Sequence, residues 1–124
     1  MIEKITTGNA PAAIGPYSQA VCTGNMVFTS GQIALDPETG VLVGDTTAEQ
    51  TEQIMKNLSA VLAAAGCTFD NVVKTTCFVA DMADFAEFNE VYGKYITSSP
   101  ARSCIAAKTL PKGALAEVEV IAVK

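Results

Sequence analysis

The chain has 124 residues, of which 49% are hydrophobic and 17% charged, which excludes a disordered segment and suits one domain spanning residues 1–124. It has no histidine, which excludes Ser-His-Asp and Cys-His catalysis, histidine-ligated metal sites and a histidine general base. The 13 acidic and 8 basic residues give a formal net charge of -5, which disfavours a nucleic-acid partner.

Hydropathy and cysteine spacing indicate a location. The longest notable apolar stretch, Ala60 to Ala65, is too short to span a bilayer, and Met1 to Lys4 lack the apolar core of a signal peptide. The four cysteines form no Cys-x-x-Cys pair and are better interpreted as reduced thiols than as a zinc site: Cys22, Cys67, Cys77 and Cys104. We therefore expect a cytoplasmic protein with no metal site and no membrane association.

The first part of the chain predicts strands. Ile2–Thr6 reads as a short strand, and Asn9–Pro16 as an ordered loop because its prolines fix φ and remove donors. Tyr17–Cys22 and Met26–Ser30 flank a short glycine-containing turn, a pattern typical of a hairpin. A second turn is predicted over Asp36–Gly40.

A helix is predicted next, because Thr46 and Thr47 offer N-caps with Glu49 and Gln50 three residues on, as in a capping box, and Gly66 suits a helix end. Its buried stripe is expected to contain Ile54, Leu58, Val61, Leu62 and Ala65.

The second half predicts a strand over Asn71–Ala80 and then a helix capped by Asp81 and ended before Pro100. The buried stripe of that helix is expected to contain Phe85, Phe88, Tyr92, Tyr95 and Ile96. Two strands, Ala101–Ala107 and Ala116–Val123, complete a β-β-β-α-β-α-β-β pattern. This predicts an α+β sheet with two helices on one face, and we expect another subunit to cover the opposite face.

Arg102 is a candidate ligand for a substrate carboxylate. Strand alternation places Arg102, Cys104 and Ala106 on one face, and a guanidinium matches a carboxylate with two parallel hydrogen bonds. A surface ion pair is the alternative for Arg102. Cys104 has no evident base to take its proton, so a small buried residue is favoured over a nucleophile, although its backbone remains available to a ligand.

Glu117 is a candidate for handling a water proton. It shares a strand face with Glu119, near the start of the strand, and a carboxylate in a dry pocket acquires a raised pKa. The alternative is a charge that simply meets water. Tyr17, the Ser30–Gly31 strand end and Asn89 are further pocket candidates, with a core aromatic, an ordinary strand end and a polar helix flank as their alternatives.

Together these segments resemble the RidA family, also called the YjgF family, of reactive-intermediate deaminases. The motifs that carry the resemblance follow one another over nearly the whole chain: Ala10–Ser18, Phe28–Ile33, Val73–Val79, Asp84–Asn89, Pro100–Cys104, Leu110–Gly113 and Glu117–Val123.

The resemblance implies a chorismate-mutase-like homotrimer that hydrolyses 2-aminoacrylate and 2-iminobutanoate, products of PLP-dependent dehydratases, to 2-oxo acids and ammonia. It implies that Arg102 holds the substrate carboxylate and that Glu117 and the Cys104 backbone position the attacking water. It also implies that four further residues line the substrate pocket, some of them contributed by the adjacent subunit: Tyr17, Ser30, Gly31 and Asn89. Because an imine is already electrophilic, no cofactor is expected.

Two other functions remain open from the sequence. Some relatives are named ribonucleases or translation inhibitors, although the negative charge and single arginine disfavour RNA cleavage here. A non-catalytic trimer that binds a carboxylate metabolite is the other. The short segment Ile96–Ala101, which lacks the phenylalanine often found before Pro-Ala-Arg, departs from the family pattern in the pocket wall.

Overall fold

A computed structural model describes residues 1–124, and its main elements occur in the predicted order. They are β1 (Ile2–Ile5), β2 (Ala20–Thr23), β3 (Met26–Thr29), α1 (Thr47–Ala64), β4 (Val72–Val79), α2 (Phe85–Tyr95), β5 (Ala101–Ala106) and β6 (Ala116–Val123). The strands form one sheet in the order β1-β2-β3-β6-β4-β5, in which only β4 and β5 run parallel. The predicted α+β architecture is therefore confirmed.

Both helices pack on the same face of the sheet. The predicted α1 stripe is buried, and alternate residues of β6 face it, so that Val118 and Val120 lie in one core with Leu58 and Phe88. The opposite face carries Glu117, Glu119 and the other odd-numbered residues of β6. No helix combines the length and the hydrophobicity needed to cross a bilayer.

Local capping of α1 follows the sequence prediction. Thr46 accepts a hydrogen bond from the Glu49 backbone N–H, and the Glu49 carboxylate accepts one in return from the Thr46 backbone N–H. After the helix, Gly66 adopts a φ of 80°, which glycine reaches without strain.

The predictions were wrong at three local points. Asp81 caps a 3-10 turn, Met82–Asp84, instead of α2, because its carboxylate accepts from Ala83 N–H and tightens the chain before α2 begins at Phe85. The strand predicted from Tyr17 begins only at Ala20. On α2, the buried Val91 was missed, and Phe85 and Tyr95 are half-buried.

Candidate active site

Arg102 is held against α2 by three contacts with residues of that helix. Its Nη1 donates to Asn89 Oδ1 at 2.6 Å. The guanidinium carbon lies 4.9 Å from the ring centroid of Tyr92 and 5.4 Å from that of Phe85. The Arg102 side chain is nevertheless exposed, beside an open groove that Ser99 and other residues line. Arg102 has no carboxylate partner, so its fork remains available to a ligand.

The aromatic support under Arg102 is itself fixed from below. Tyr92 is 6% exposed, and its hydroxyl shares a 2.8 Å hydrogen bond with Thr75 Oγ1. Thr75 is fully buried and is the β4 partner of Arg102 in the parallel β4–β5 register. The ring of Tyr92 is thus tied to the strand that also positions the Arg102 backbone.

Glu117 lies in a separate cleft of about 320 Å³ at one end of the sheet. The cleft is formed by the loop before β2, the segment after β3 and the turn before β6, and its lining includes Tyr17, Gly31, Ile33, Leu35, Pro111 and Lys112. Gly31 lies so close that a Cβ there would be 2.1 Å from Glu117 Oε2. A side chain at residue 31 would therefore displace the Glu117 carboxylate from this position.

Burial raises the pKa of Glu117, and the neighbouring Glu119 carboxylate raises it further. A carboxyl with a raised pKa exchanges a proton nearer neutral pH than an exposed one does. The sequence left open whether Glu117 enters a dry pocket or simply meets water, and the raised pKa favours the first alternative.

Buried amide side chains hold the loops that form the Glu117 cleft. Gln19 Nε2 donates to the carbonyl of Pro11 at 2.7 Å, and its Oε1 accepts from Thr7 N–H at 2.7 Å. Asn57 on α1 donates to the carbonyls of Ile33 at 3.3 Å and Leu35 at 2.9 Å. These hydrogen bonds replace the strand pairing that the loops lack.

The other predicted residues divide between the two places. Tyr17 and Gly31 line the Glu117 cleft, with Tyr17 53% exposed, whereas Asn89 contacts Arg102. The Ser30 hydroxyl donates to the carbonyl of Ser18 at 2.6 Å and so fastens the loop beside the cleft.

Cys104 has the properties of a small packing residue. It is half-buried on β5, and burial raises its pKa, although the Arg102 charge lowers it in part. A thiol with a raised pKa is a poor nucleophile at neutral pH, which agrees with the preference stated from the sequence. All four cysteines are free thiols. No cluster of three or more Cys, Asp or Glu side chains is arranged to hold a metal ion.

One chain does not bring Arg102 and Glu117 together. Arg102 is in register with the buried, helix-facing Thr75, whereas Glu117 pairs with Phe78 on the opposite face of the sheet. Two strand spacings and three residues separate their backbones, which amounts to about 14 Å. The side chains also point to opposite faces, so no small molecule touches both within one chain.

Sequence reasoning missed several residues that contact or hold the candidate site residues. The missed residues are Tyr92 and Phe85 as the platform for Arg102, Gln19 and Asn57 as loop anchors, and Lys112 in the cleft wall. Phe85 and Tyr92 were assigned to the buried stripe of α2 because of their helical spacing. That spacing does not indicate that the faces of their rings contact a cation. The best available sequence signal for a loop anchor was Gln19, a polar residue that follows the proline-containing loop and precedes the strand β2.

Comparison with known proteins finds similarity over nearly the whole chain. Residues 7–124 match the family model described as Endoribonuclease L-PSP. A mouse protein named 2-iminobutanoate/2-iminopropanoate deaminase is 50% identical over 97% of this chain and 90% of its own length.

Two solved structures are also similar. A Rid-family protein, YyfA from Yersinia pestis, is 46% identical with a TM-score of 0.97, and each chain is covered completely. TdcF from E. coli, solved with bound serine, is 42% identical with a TM-score of 0.93, covering 98% of each chain.

Proposed function

The chain belongs to the RidA (YjgF) family, and from that premise we propose that it is an imine deaminase. Its substrates would be 2-iminobutanoate and the 2-aminoacrylate–2-iminopropanoate pair, and its products 2-oxo acids and ammonia. The observation that carries the proposal is the 50% identity with the mouse deaminase, joined to a lone arginine whose guanidinium is held in place and free to bind a carboxylate.

Arg102 would bind the substrate carboxylate. Its fork is fixed by Asn89 and by the ring of Tyr92, so little rotamer freedom is lost when a planar anion docks. The substrate's imine carbon would then lie at a constant distance from the groups that handle water.

Glu117 would accept a proton from the attacking water. The water oxygen bonds to C2 of the iminium, the C=N π electrons move to nitrogen, and the displaced proton goes to Glu117. That proton then passes to the amine. The C2–N bond breaks as the hydroxyl returns its proton to the Glu117 carboxylate and becomes the carbonyl, and ammonia leaves. For 2-aminoacrylate, protonation at C3 by the acid form of Glu117 gives the iminium first, and the raised pKa favours that acid form.

The complete site would use two subunits of a homotrimer. Because Arg102 and Glu117 face opposite sides of the sheet, Arg102 of one chain must meet Glu117 of a neighbour. Residues near Arg102, including Asn89 and the Cys104 backbone, would then face Tyr17, Ser30 and Gly31 across the interface.

The uncovered sheet face supports this assembly. β5 is an edge strand whose residues are exposed or half-buried, and Ile105 on it is 55% exposed. Phe28 on β3 is also exposed on this chain, at 37%. An exposed edge strand such as β5, and exposed apolar side chains on an open sheet face such as Phe28, are usually covered by another chain.

The free thiols agree with a reducing compartment, so we propose that the enzyme acts in the cytoplasm on imines that PLP-dependent dehydratases release. The reaction needs no cofactor in this scheme, because the imine carbon is already electrophilic and Arg102 and Glu117 supply charge complementarity and proton transfer.

A second candidate is a metabolite-binding protein without turnover, which the serine-bound structure of TdcF favours. RNA cleavage, which the family description names, has less support here because the net charge is -5 and Arg102 is the only arginine.

A trapping assay distinguishes these functions. A threonine dehydratase releases 2-iminobutanoate in the presence of semicarbazide, and this protein is added in catalytic amount. An imine deaminase competes with the trap and slows semicarbazone formation. A binder leaves the rate unchanged, and that result would reject the proposed activity. RNA cleavage is tested separately, by incubating RNA with protein purified free of nucleases. Cleavage that is lost in an Arg102 or Glu117 variant would support a ribonuclease.

A further inference from the structure

We propose that Tyr92 is a positioning residue for Arg102, acting through the face of its ring, and that its hydroxyl fixes the ring by hydrogen bonding to Thr75. This inference rests on the proposed function only where it concerns substrate affinity. The geometric part concerns the guanidinium itself and holds for any carboxylate ligand.

The first support is the stacking distance. The Arg102 guanidinium carbon is 4.9 Å from the Tyr92 ring centroid, within the range in which an aromatic face attracts a cation. Phe85, about two turns earlier on α2, provides a second ring at 5.4 Å. The Arg102 side chain is exposed, so without these rings and Asn89 its long stem would sample several rotamers.

The second support is the anchoring of the ring. Tyr92 is 6% exposed, Thr75 is fully buried, and their oxygens are 2.8 Å apart. Burial raises the pKa of Tyr92, so the hydroxyl stays protonated. Cys77 Sγ donates weakly to the same Thr75 oxygen at 3.8 Å. A tyrosine that served only the core would not need its ring plane fixed beneath an exposed cation.

The third support is the strand register. Thr75 on β4 lies directly beside Arg102 on β5, so the hydroxyl that fixes the ring and the backbone that carries the arginine belong to adjacent, paired residues. Movement of α2 relative to the sheet would therefore change the hydrogen bond and the stacking together.

The single arginine makes the test direct. Arg102 gives the only arginine Nε–H resonance in a proton–nitrogen correlation spectrum, and its shift reports the two ring faces without assignment of other side chains. The variants are Tyr92→Leu, which removes the ring, and Tyr92→Phe, which removes only the hydroxyl. Tyr95→Leu is the matched control, because Tyr95 lies on the same helix but packs on Phe69 and contacts Glu52.

Each protein is then titrated with 2-oxobutanoate, following the same resonance. We expect Tyr92→Leu to move the Arg102 resonance toward that of a free arginine and to weaken 2-oxobutanoate binding roughly three- to tenfold. Tyr92→Phe should give a smaller shift and about twofold weaker binding. Tyr95→Leu should change neither. In imine turnover, KM should rise in the same order while kcat changes little, as expected when a uniform binding contact weakens.

The inference would be overturned if folded Tyr92→Leu kept the wild-type Arg102 resonance and the wild-type affinity for 2-oxobutanoate. It would also be overturned if Tyr95→Leu changed both as much as Tyr92→Leu does. If Tyr92→Leu does not fold, Phe85→Leu and Tyr92→Phe decide, since unchanged spectra in both would also overturn it. If the shifts and affinities follow expectation but no protein turns over an imine, the positioning role stands and the proposed activity fails. If wild-type protein turns over the imine and the Tyr92 variants behave as wild type, only this inference fails.

Discussion

The Arg102 region and the Glu117 cleft are built in opposite ways. Arg102 is exposed and is held by α2 through Asn89 and Tyr92, so regular elements fix a charge at the surface. Glu117 is half-buried, and loops fastened by amides such as Gln19 surround it. The first region suits binding of an anion, and the second suits proton transfer by a carboxyl with a raised pKa. In the proposed two-subunit enzyme, each region would supply half of the active site.

The largest effect is expected from Arg102→Ala. Two charge-assisted hydrogen bonds to a carboxylate contribute about 3 kcal/mol, so kcat/KM for 2-iminobutanoate should fall roughly 100-fold. Because Arg102 is exposed, the free energy of unfolding should change by only about 0.5 kcal/mol. The trapping assay and a thermal melt measure both. Arg102→Lys, which keeps the charge and loses the fork, should be intermediate; equal activity of Lys and wild type would argue against bidentate binding.

In the cleft, Gly31→Ala is expected to displace the carboxylate. The new Cβ would be 2.1 Å from Glu117 Oε2 and 2.9 Å from its carboxyl carbon, so the flexible end of the side chain must rotate away. We expect kcat to fall about tenfold or more, since misplacement of a proton-transfer group by an ångström is costly. Gly8→Ala is the matched control, because a Cβ there meets nothing within 4 Å. Full activity in Gly31→Ala would remove Glu117 from the mechanism.

Asn57→Ala should loosen the cleft and leave the Arg102 region unchanged. The substitution leaves the carbonyls of Ile33 and Leu35 without their donor, which costs roughly 1–3 kcal/mol of stability. We expect a lower melting temperature and a reduction of kcat by a few fold, with 2-oxobutanoate affinity retained. Asn71→Ala provides the control: Asn71 also donates to a backbone carbonyl, that of Val123, and should lower stability without reducing kcat.

The smallest effect is expected from Glu119→Gln. Burial is the main cause of the raised pKa of Glu117, and the Glu119 charge is the secondary cause, so the substitution should lower that pKa while leaving it above its ordinary value. The acidic limb of the pH–rate profile should therefore move to lower pH. The free energy of unfolding depends on pH in the opposite direction from that of a protein with a salt-bridged carboxylate. A raised folded-state pKa favours folding below the ordinary pKa, and that contribution declines as pH rises through the folded-state value. Glu119→Gln should make the loss of stability with rising pH smaller. If the acidic limb of the pH–rate profile moved to higher pH instead, Glu119 would not be a cause of the raised pKa of Glu117.

The sequence predicted the elements far better than their arrangement. Alternation in β6 correctly separated Glu117 from Val118. The threonine–glutamate spacing offered Thr46 and Thr47 as N-caps of α1, and Thr46 is the one that caps it. The parallel pairing of β4 with β5 was not predicted, although the strand–helix–strand order of β4, α2 and β5 favours it. The support of Arg102 by Tyr92 depends on that same pairing, so local patterns carried no trace of it.

Among the site residues, the resemblance contributed more than periodicity did. Strand alternation by itself left Arg102 and Glu117 with surface alternatives, and only the ordered motifs selected them. The structure adds their separation onto opposite faces, which neither source predicted for a single chain.

Subunit complementation tests the two-chain site most directly. Arg102→Ala and Glu117→Gln chains that carry different tags are co-expressed in equal amounts. Purification through both tags shows that mixed trimers form, and the deaminase activity is measured on the whole population. If neighbouring chains supply Arg102 and Glu117, each mixed trimer has one intact site of three. Random assembly should then restore about a quarter of wild-type imine deamination, although each variant alone is nearly inactive. Activity no higher than that of the separate variants, from mixed trimers shown to form, would contradict a site shared between subunits.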